Sequence, residues 1–157
     1  MKFLSLNWQD IEILCSKLSE KIINKNFNPD LIIGISRGGL VPTRLLSDLL
    51  NIKNVATIRL EIYKKKNNKN KKPKLLQPLA INIKNKKVLV VDDVSDSGTS
   101  LKFIKKYLKE KKPHEIKFAT LHLKPNATFI PDFYVTKTSS WIIYPWEKKE
   151  VARELKA

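Results

Sequence analysis

Asp92 and Asp93 stand at the end of an apolar run, Val88-Leu89-Val90-Val91. Asp96, Ser97, Gly98, Thr99 and Ser100 follow within a few positions. An amphipathic pattern then opens with Leu101, Ile104 and Leu108. The stretch reads as a buried strand ending at Val91, an acidic turn, a hydroxyl-rich loop and a helix start. Carboxylates at a strand end accept hydrogen bonds from sugar hydroxyls or hold a metal, and the free amides of a helix start suit a phosphate. Three acids and three hydroxyl residues around one glycine exceed what ending a strand and capping a helix require.

A second candidate lies upstream. The apolar strand Asp30-Leu31-Ile32-Ile33-Gly34-Ile35 runs into Ser36-Arg37-Gly38-Gly39, and a helix follows through Leu40, Val41, Leu45, Leu46 and Leu49, with Pro42 tolerated in its first turn. Glycines between strand and helix let backbone approach an anion, and Arg37 adds a forked donor. The plain alternative is an ordinary tight turn. The turn is not a Walker A loop, because Leu40-Val41 follows Gly39 where Lys-Ser/Thr is required. Without that partner, Asp92-Asp93 does not serve as a Walker B pair. A response-regulator receiver is also disfavoured, since its acidic strand lies near the N-terminus and no later strand here ends in a phosphoacceptor aspartate.

The elements that must position these residues follow from periodicity. Trp8 to about Lys25 is a helix, with Ile11, Leu14, Leu18 and Ile22 on one face, Asn7 as cap and Asp10 and Glu12 in the first turn. Cys15 borders that stripe as a core residue. Asn54–Tyr63 is a strand, and Leu75–Ile83 is a candidate hairpin partner. Leu101 to about Lys111 is a helix stopped by Pro113, and Glu115–Leu123 is a strand. Pro131–Val135 and Trp141–Tyr144 are short extended pieces, and Pro145-Trp146-Glu147 closes the ordered part before a terminal helix or tail. Alternating strands and helices imply an α/β fold, a mostly parallel sheet flanked by helices. The 157 residues form one domain.

Composition narrows the partners. Hydrophobic residues are 42 %, enough for a core, and no apolar run approaches the ~20 residues of a membrane span. No signal peptide is evident, and the single cysteine excludes an internal disulfide and a cysteine-based zinc site, so a cytoplasmic protein is expected. A net charge of +16 implies anionic partners, although a composition rich in Lys, Asn and Ile supplies part of the excess by itself. Residues 64–74 hold seven lysines and no acid, the pattern of a mobile loop.

The thirteen residues from Val88 to Ser100 resemble the phosphoribosyl diphosphate (PRPP) signature of type I phosphoribosyltransferases: a hydrophobic run, two acids, a short spacer and a Thr/Ser-Gly-Thr/Ser loop. Ser36-Arg37-Gly38-Gly39 sits where that family has its diphosphate loop, and the lysine run where it has a flexible catalytic loop. Lys124-Pro125, Trp141-Ile142 and Pro145-Trp146-Glu147 look like the base-binding hood of the xanthine-guanine and hypoxanthine enzymes. The resemblance implies a core of about 28–123, a loop of about 62–78 and a C-terminal hood of about 124–147. It also implies a non-proline cis peptide near Ser36-Arg37.

On that resemblance the roles separate. Asp92 and Asp93 would take the ribose hydroxyls and Mg²⁺, and the amides of Ser97, Gly98, Thr99 and Ser100 the 5′-phosphate. Ser36, Arg37, Gly38 and Gly39 would hold the diphosphate. Asp96 would face purine N7 as general acid/base. Trp141 offers a stacking surface, against the alternative of a core tryptophan, and Lys124 a donor that favours 6-oxopurines. The Ile142 backbone would read the base edge. Glu147 is a further candidate for Mg²⁺, against the alternative of a solvated acid. Ile143 stands where the xanthine-guanine enzymes tend to carry an acid, which leaves the choice among guanine, xanthine and hypoxanthine open. His114 and His122 read as structural. The expected activity is purine salvage from PRPP and a 6-oxopurine by a homodimer or homotetramer. The alternative is a PRPP- or nucleotide-sensing, nucleic-acid-binding regulator on the same fold, with nucleic acid the less favoured partner because no helix-turn-helix or extra domain is evident.

Overall fold

The strand that carries Val88–Val91 lies inside a six-stranded sheet, and its neighbours explain its composition. The computed structural model describes residues 2–63 and 72–156. In chain order they form β1 (Phe3–Ser5), α1 (Trp8–Asn24), β2 (Leu31–Ser36), α2 (Leu40–Leu49), β3 (Val55–Tyr63) and β4 (Lys72–Gln77). Then come β5 (Lys87–Ser95), α3 (Thr99–Lys109), β6 (Glu115–Leu123), β7 (Phe133–Lys137), β8 (Trp141–Ile143) and α4 (Lys148–Glu154). The central sheet has the order β4-β3-β2-β5-β6-β7. Only β4 is antiparallel, forming a hairpin with β3. Residues 64–71, with most of the lysine run, lie outside the described residues.

Both faces of the sheet are covered, so the central strands carry continuous apolar runs, Leu31–Ile33 in β2 and Val88–Val91 in β5. Ile32, Leu89 and Val91 pack with Ile11, Cys15, Leu18 and Ile22 of α1 and Leu46 of α2. Leu31, Ile33, Ile35, Val88 and Val90 pack on the other face with Leu101, Ile104 and Leu108 of α3. Burial pushes the Cys15 thiol up to about 12, which leaves it an inert core group. The chain leaves β2 through α2 towards β3 and leaves β5 through α3 towards β6, in opposite directions. The carboxyl ends of β2 and β5 therefore flank a topological switch point, where open α/β sheets form ligand crevices.

Two elements depart from the sequence reading. The strand expected to stop at Val91 continues to Ser95, because β6 keeps pairing with it: Asp92 opposes Thr120, Val94 opposes His122 and Ser95 opposes Leu123. The aspartates thus stand on a strand and not in a turn, since ladder bonding satisfies a polar backbone as well as an apolar one. The hood is also drawn differently from 124–147. Phe133–Lys137 is the edge strand of the central sheet, and β8 pairs instead with β1, Leu4 opposite Ile142. Three residues at the N-terminus had no legible strand signal. Among the described residues no helix is long and apolar enough to cross a membrane.

α1 begins with a capping box: Asp10 N–H donates to the Asn7 side chain at 2.9 Å, and Asn7 N–H to the Asp10 carboxylate at 2.8 Å. Asn7→Ala is expected to lower stability by about 1 kcal/mol in urea unfolding, and Asn7→Ser to retain most of it. An Ala variant as stable as wild type would show that packing alone sets the start of α1.

Candidate active site

The ends of β2 and β5 bring the two sequence candidates into contact. Asp92 and Asp93 are half-buried, and Asp93 N–H donates to Asp92 Oδ1 at 2.9 Å. Gly38 lies directly over Asp93: a β-carbon there would stand 2.3 Å from Asp93 Oδ2, so any side chain at this position would have to displace the carboxylate. The Ser36-Arg37 peptide is cis. The Gly39 amide is already used, donating to Ile35 O at 2.8 Å, so Gly39 shapes the turn while Ser36, Arg37 and Gly38 face the cavity. Arg37 does not stand alone. Its Nη2 meets both carboxylate oxygens of Glu150, on α4, at 2.8 Å.

The loop from Asp96 to Ser100 is held from outside. Ser97 O accepts from Thr128 N–H at 3.0 Å and from Thr128 Oγ1 at 2.7 Å, and the Ser95 hydroxyl donates to Phe129 O at 2.7 Å. Gly98 has φ +84°, and a β-carbon on it would lie 2.5 Å from Phe129 N. Gly98 offers α3 no side-chain cap, and the Thr99 amide donates to the Ser97 hydroxyl at 3.3 Å, so an anion would meet the helix amides that follow Thr99. Of the four loop residues expected to cradle phosphate, Ser100 lines the main cavity. Ser97 and Thr99 hydrogen-bond to each other at 3.0 Å beside it.

Two cavities meet here. One, about 520 Å³, is walled by the Ser36–Gly38 turn, Asp92, Asp93, Ser100 and Glu147, with Leu60 and Ile62 of the hairpin arm opposite. The other, about 340 Å³, is lined by Asp96, Lys124, Trp141, Ile142 and Tyr144. Asp93 and Glu147 belong to both. Trp141 is 45 % exposed, which sets aside a core role and leaves its ring as a wall of the smaller cavity. Lys124 Nζ donates to Ser140 O and keeps further donors for a ligand. Ile142 is buried, held by its pairing to β1.

The electrostatics are those of crowded acids. Burial, then the charge of Asp93, raises the Asp92 pKa well above the carboxylate range. Burial, then Glu147, pushes Asp93 up to about 6. Glu147 is raised by burial and by Glu150 and Glu154, against the pull of Arg37. Among the described residues no cation pairs with Asp92 or Asp93. Nor does any cluster of three or more His, Cys, Asp or Glu residues there form a ready metal cage. Such a donor set fits Mg²⁺, a hard cation bound by one or two carboxylates together with waters and substrate phosphates.

Other residues entered the site without a sequence signal. Glu150 arrives on the segment read as a terminal helix or tail. Arg59, opposite Ser36 in the β2–β3 register, shares a recess with Arg37. Trp146 stacks on Tyr144 with ring centroids 4.7 Å apart. His122, read as structural, is buried and hydrogen-bonded to Tyr144 at 2.8 Å. Burial, then Lys124, lowers its pKa to about 4, so it is neutral.

Residues 6–156 match the family of phosphoribosyl transferase domains. The xanthine-guanine phosphoribosyltransferase of Cereibacter sphaeroides is 32 % identical over 120 residues, covering 74 % of this chain and 68 % of the relative. A purine phosphoribosyltransferase from Pyrococcus horikoshii superposes with a TM-score of 0.85 at 37 % identity, over 94 % of this chain and 95 % of the other. A protein from Neisseria gonorrhoeae, solved with bound ppGpp, gives 0.85 at 30 % identity, over 99 % and 96 %.

The raised carboxylates give stability a pH signature. Asp93 holds its proton more tightly folded than unfolded, so its contribution is full below the ordinary carboxylate value of 3.8 and is lost as pH rises through about 6. His122 acts oppositely: its contribution is lost as pH falls from 6.5 through about 4. The difference between wild type and Asp93→Asn isolates the first. In urea unfolding the wild type is expected to lose stability relative to the variant across that window. Parallel curves would show that Asp93 is not desolvated among like charges.

Proposed function

The chain belongs to the phosphoribosyl transferase domain family, and on that premise we propose that it transfers the 5-phosphoribosyl group of PRPP to a 6-oxopurine, giving the nucleoside monophosphate and diphosphate. The observation that carries this reading is the pair of cavities joined at Asp93 and Glu147, one furnished for a phosphorylated sugar and the other for a flat base. The named relatives act in the same chemistry, as xanthine-guanine and purine phosphoribosyltransferases. The ligand of the Neisseria neighbour carries guanine on a ribose that bears two diphosphates, which supports guanine among the accepted bases.

In this reading Asp92 and Asp93 accept hydrogen bonds from the ribose hydroxyls. Ser100 and the start of α3, with Ser97 and Thr99 beside it, take the 5′-phosphate, and Ser36, Arg37 and Gly38 take the diphosphate. Mg²⁺, held by Asp92 or Asp93 and by Glu147, would supply positive charge for the leaving diphosphate. Trp141 stacks on the purine, Lys124 donates to its 6-oxygen and the Ile142 backbone meets its edge. As the bond from C1′ to diphosphate breaks, purine N9 bonds to C1′ and Asp96 accepts the proton released at N7. Catalysis is then positioning and charge neutralisation. The closing loop expected at 62–78 has its described flanks in the β3–β4 hairpin, and its centre lies outside the described residues.

Turnover with PRPP, Mg²⁺ and a panel of hypoxanthine, guanine, xanthine, adenine and uracil tests the reading. Monophosphate is expected from 6-oxopurines only. No turnover with any purine, together with tight RNA or DNA binding at physiological salt, would favour the regulator. Asp96→Asn is expected to lower kcat by about a hundredfold or more and leave PRPP binding nearly intact. An unchanged kcat would remove Asp96 from the proton transfer. Glu150 competes with diphosphate for Arg37, so Glu150→Gln is expected to lower the PRPP KM by about two- to fivefold, the range of an exposed ion pair. A raised KM would show that Glu150 positions Arg37 instead.

A further inference from the structure

Asp93 and Glu147 face both cavities, yet they sit on different elements of the fold: one on β5, the other after β8. A single residue spans them. Tyr144 is 2 % exposed, and its phenol donates to Asp93 O at 3.1 Å. Its own amide donates to Glu147 Oε1 at 3.2 Å. Because the phenol proton is committed to Asp93, its oxygen accepts from His122 Nδ1–H at 2.8 Å, which sets the imidazole tautomer.

The β5–β6 register places His122 opposite Val94, one position from Asp93, so the Tyr144 phenol meets both strands where they run side by side. Trp146 stacks against the tyrosine ring, and Trp8 of α1 lies 6.1 Å from Trp146, so the ring is clamped from behind.

We infer that Tyr144 is a positioning residue, oriented by His122, that fixes the separation of Asp93 and Glu147 and so ties the base cavity to the phosphoribosyl cavity. The inference rests on the transferase reading above. Tyr144→Phe keeps the stacked ring and the amide contact to Glu147, and removes only the arm that reaches Asp93. His122→Leu removes the donor that orients the phenol. His122→Asn replaces it with an amide donor.

The test measures KM for PRPP and for the purine, Mn²⁺ binding in the presence of PRPP by electron paramagnetic resonance, and Tm. Tyr144→Phe is expected to weaken both PRPP and Mn²⁺ constants about tenfold, the effect typical of a group that holds a metal-binding residue in place, here through the Asp93 backbone. The purine KM is expected to move much less. His122→Leu should follow the same direction and His122→Asn should restore the wild-type constants. A Tyr144→Phe protein with lowered Tm and unchanged PRPP and Mn²⁺ constants would overturn the inference, since a purely structural bond moves only stability. Should that variant fold poorly, equal constants in the two His122 variants would overturn it as well. A wild type that binds no PRPP would overturn the transferase reading itself.

Discussion

Two adjacent carboxylates of like charge are half-buried at the end of a central strand, and much of the surrounding structure accommodates that fact. Asp92 and Asp93 are raised by burial and by acidic neighbours, Asp93 the first for Asp92 and Glu147 for Asp93, and none of the described cations reaches them. Burying charge is costly unless it is paired, protonated or bound to a cation. Glycine at position 38 leaves room against one of the carboxylates, and a neutral tyrosine holds the backbone beneath it. The site is therefore poised for a ligand that brings hydroxyl donors and positive charge.

The sheet supplies the rigidity this requires. β2 and β5 are buried on both faces, and their carboxyl ends lie side by side where the chain turns in opposite directions. The Ser36–Gly39 turn and the Asp96–Ser100 loop consequently face a common crevice. The second, small sheet of β1 and β8 adds a wall of the smaller cavity. It places Trp141 at the surface of a cavity and the following turn, with Tyr144 and Glu147, against Asp93. Stacking of Trp146 on Tyr144 makes that turn part of the core and not a loose appendage.

Much of this was legible in the residues. The continuous apolar runs of β2 and β5 announced strands covered on both faces, and the helical stripe of α1 with Asn7 before it announced that helix and its cap. The grouping of Asp92, Asp93 and Asp96 with a hydroxyl-rich glycine loop pointed to a phosphorylated sugar. Other features had no signal. The extension of β5 through its acids depends on β6 lying alongside, and polarity alone argued for a turn. Phe3–Ser5 is too short to show a period, and it is a strand only because β8 meets it. Glu150, Arg59 and Tyr144 carry ordinary surface or strand identities until the fold brings them to the crevice.

By itself the sequence determined the α/β class, the order of most elements and the two glycine loops that follow β2 and β5, because periodicity and turn chemistry act between residues close in the chain. The tertiary structure alone decided which charges face one another. It set Glu150 on Arg37 across 113 positions and Tyr144 on Asp93 across 51. It also joined two cavities through one pair of carboxylates. Those relations depend on distance in space and on exclusion of water, and both exist only once the sheet has closed over its core.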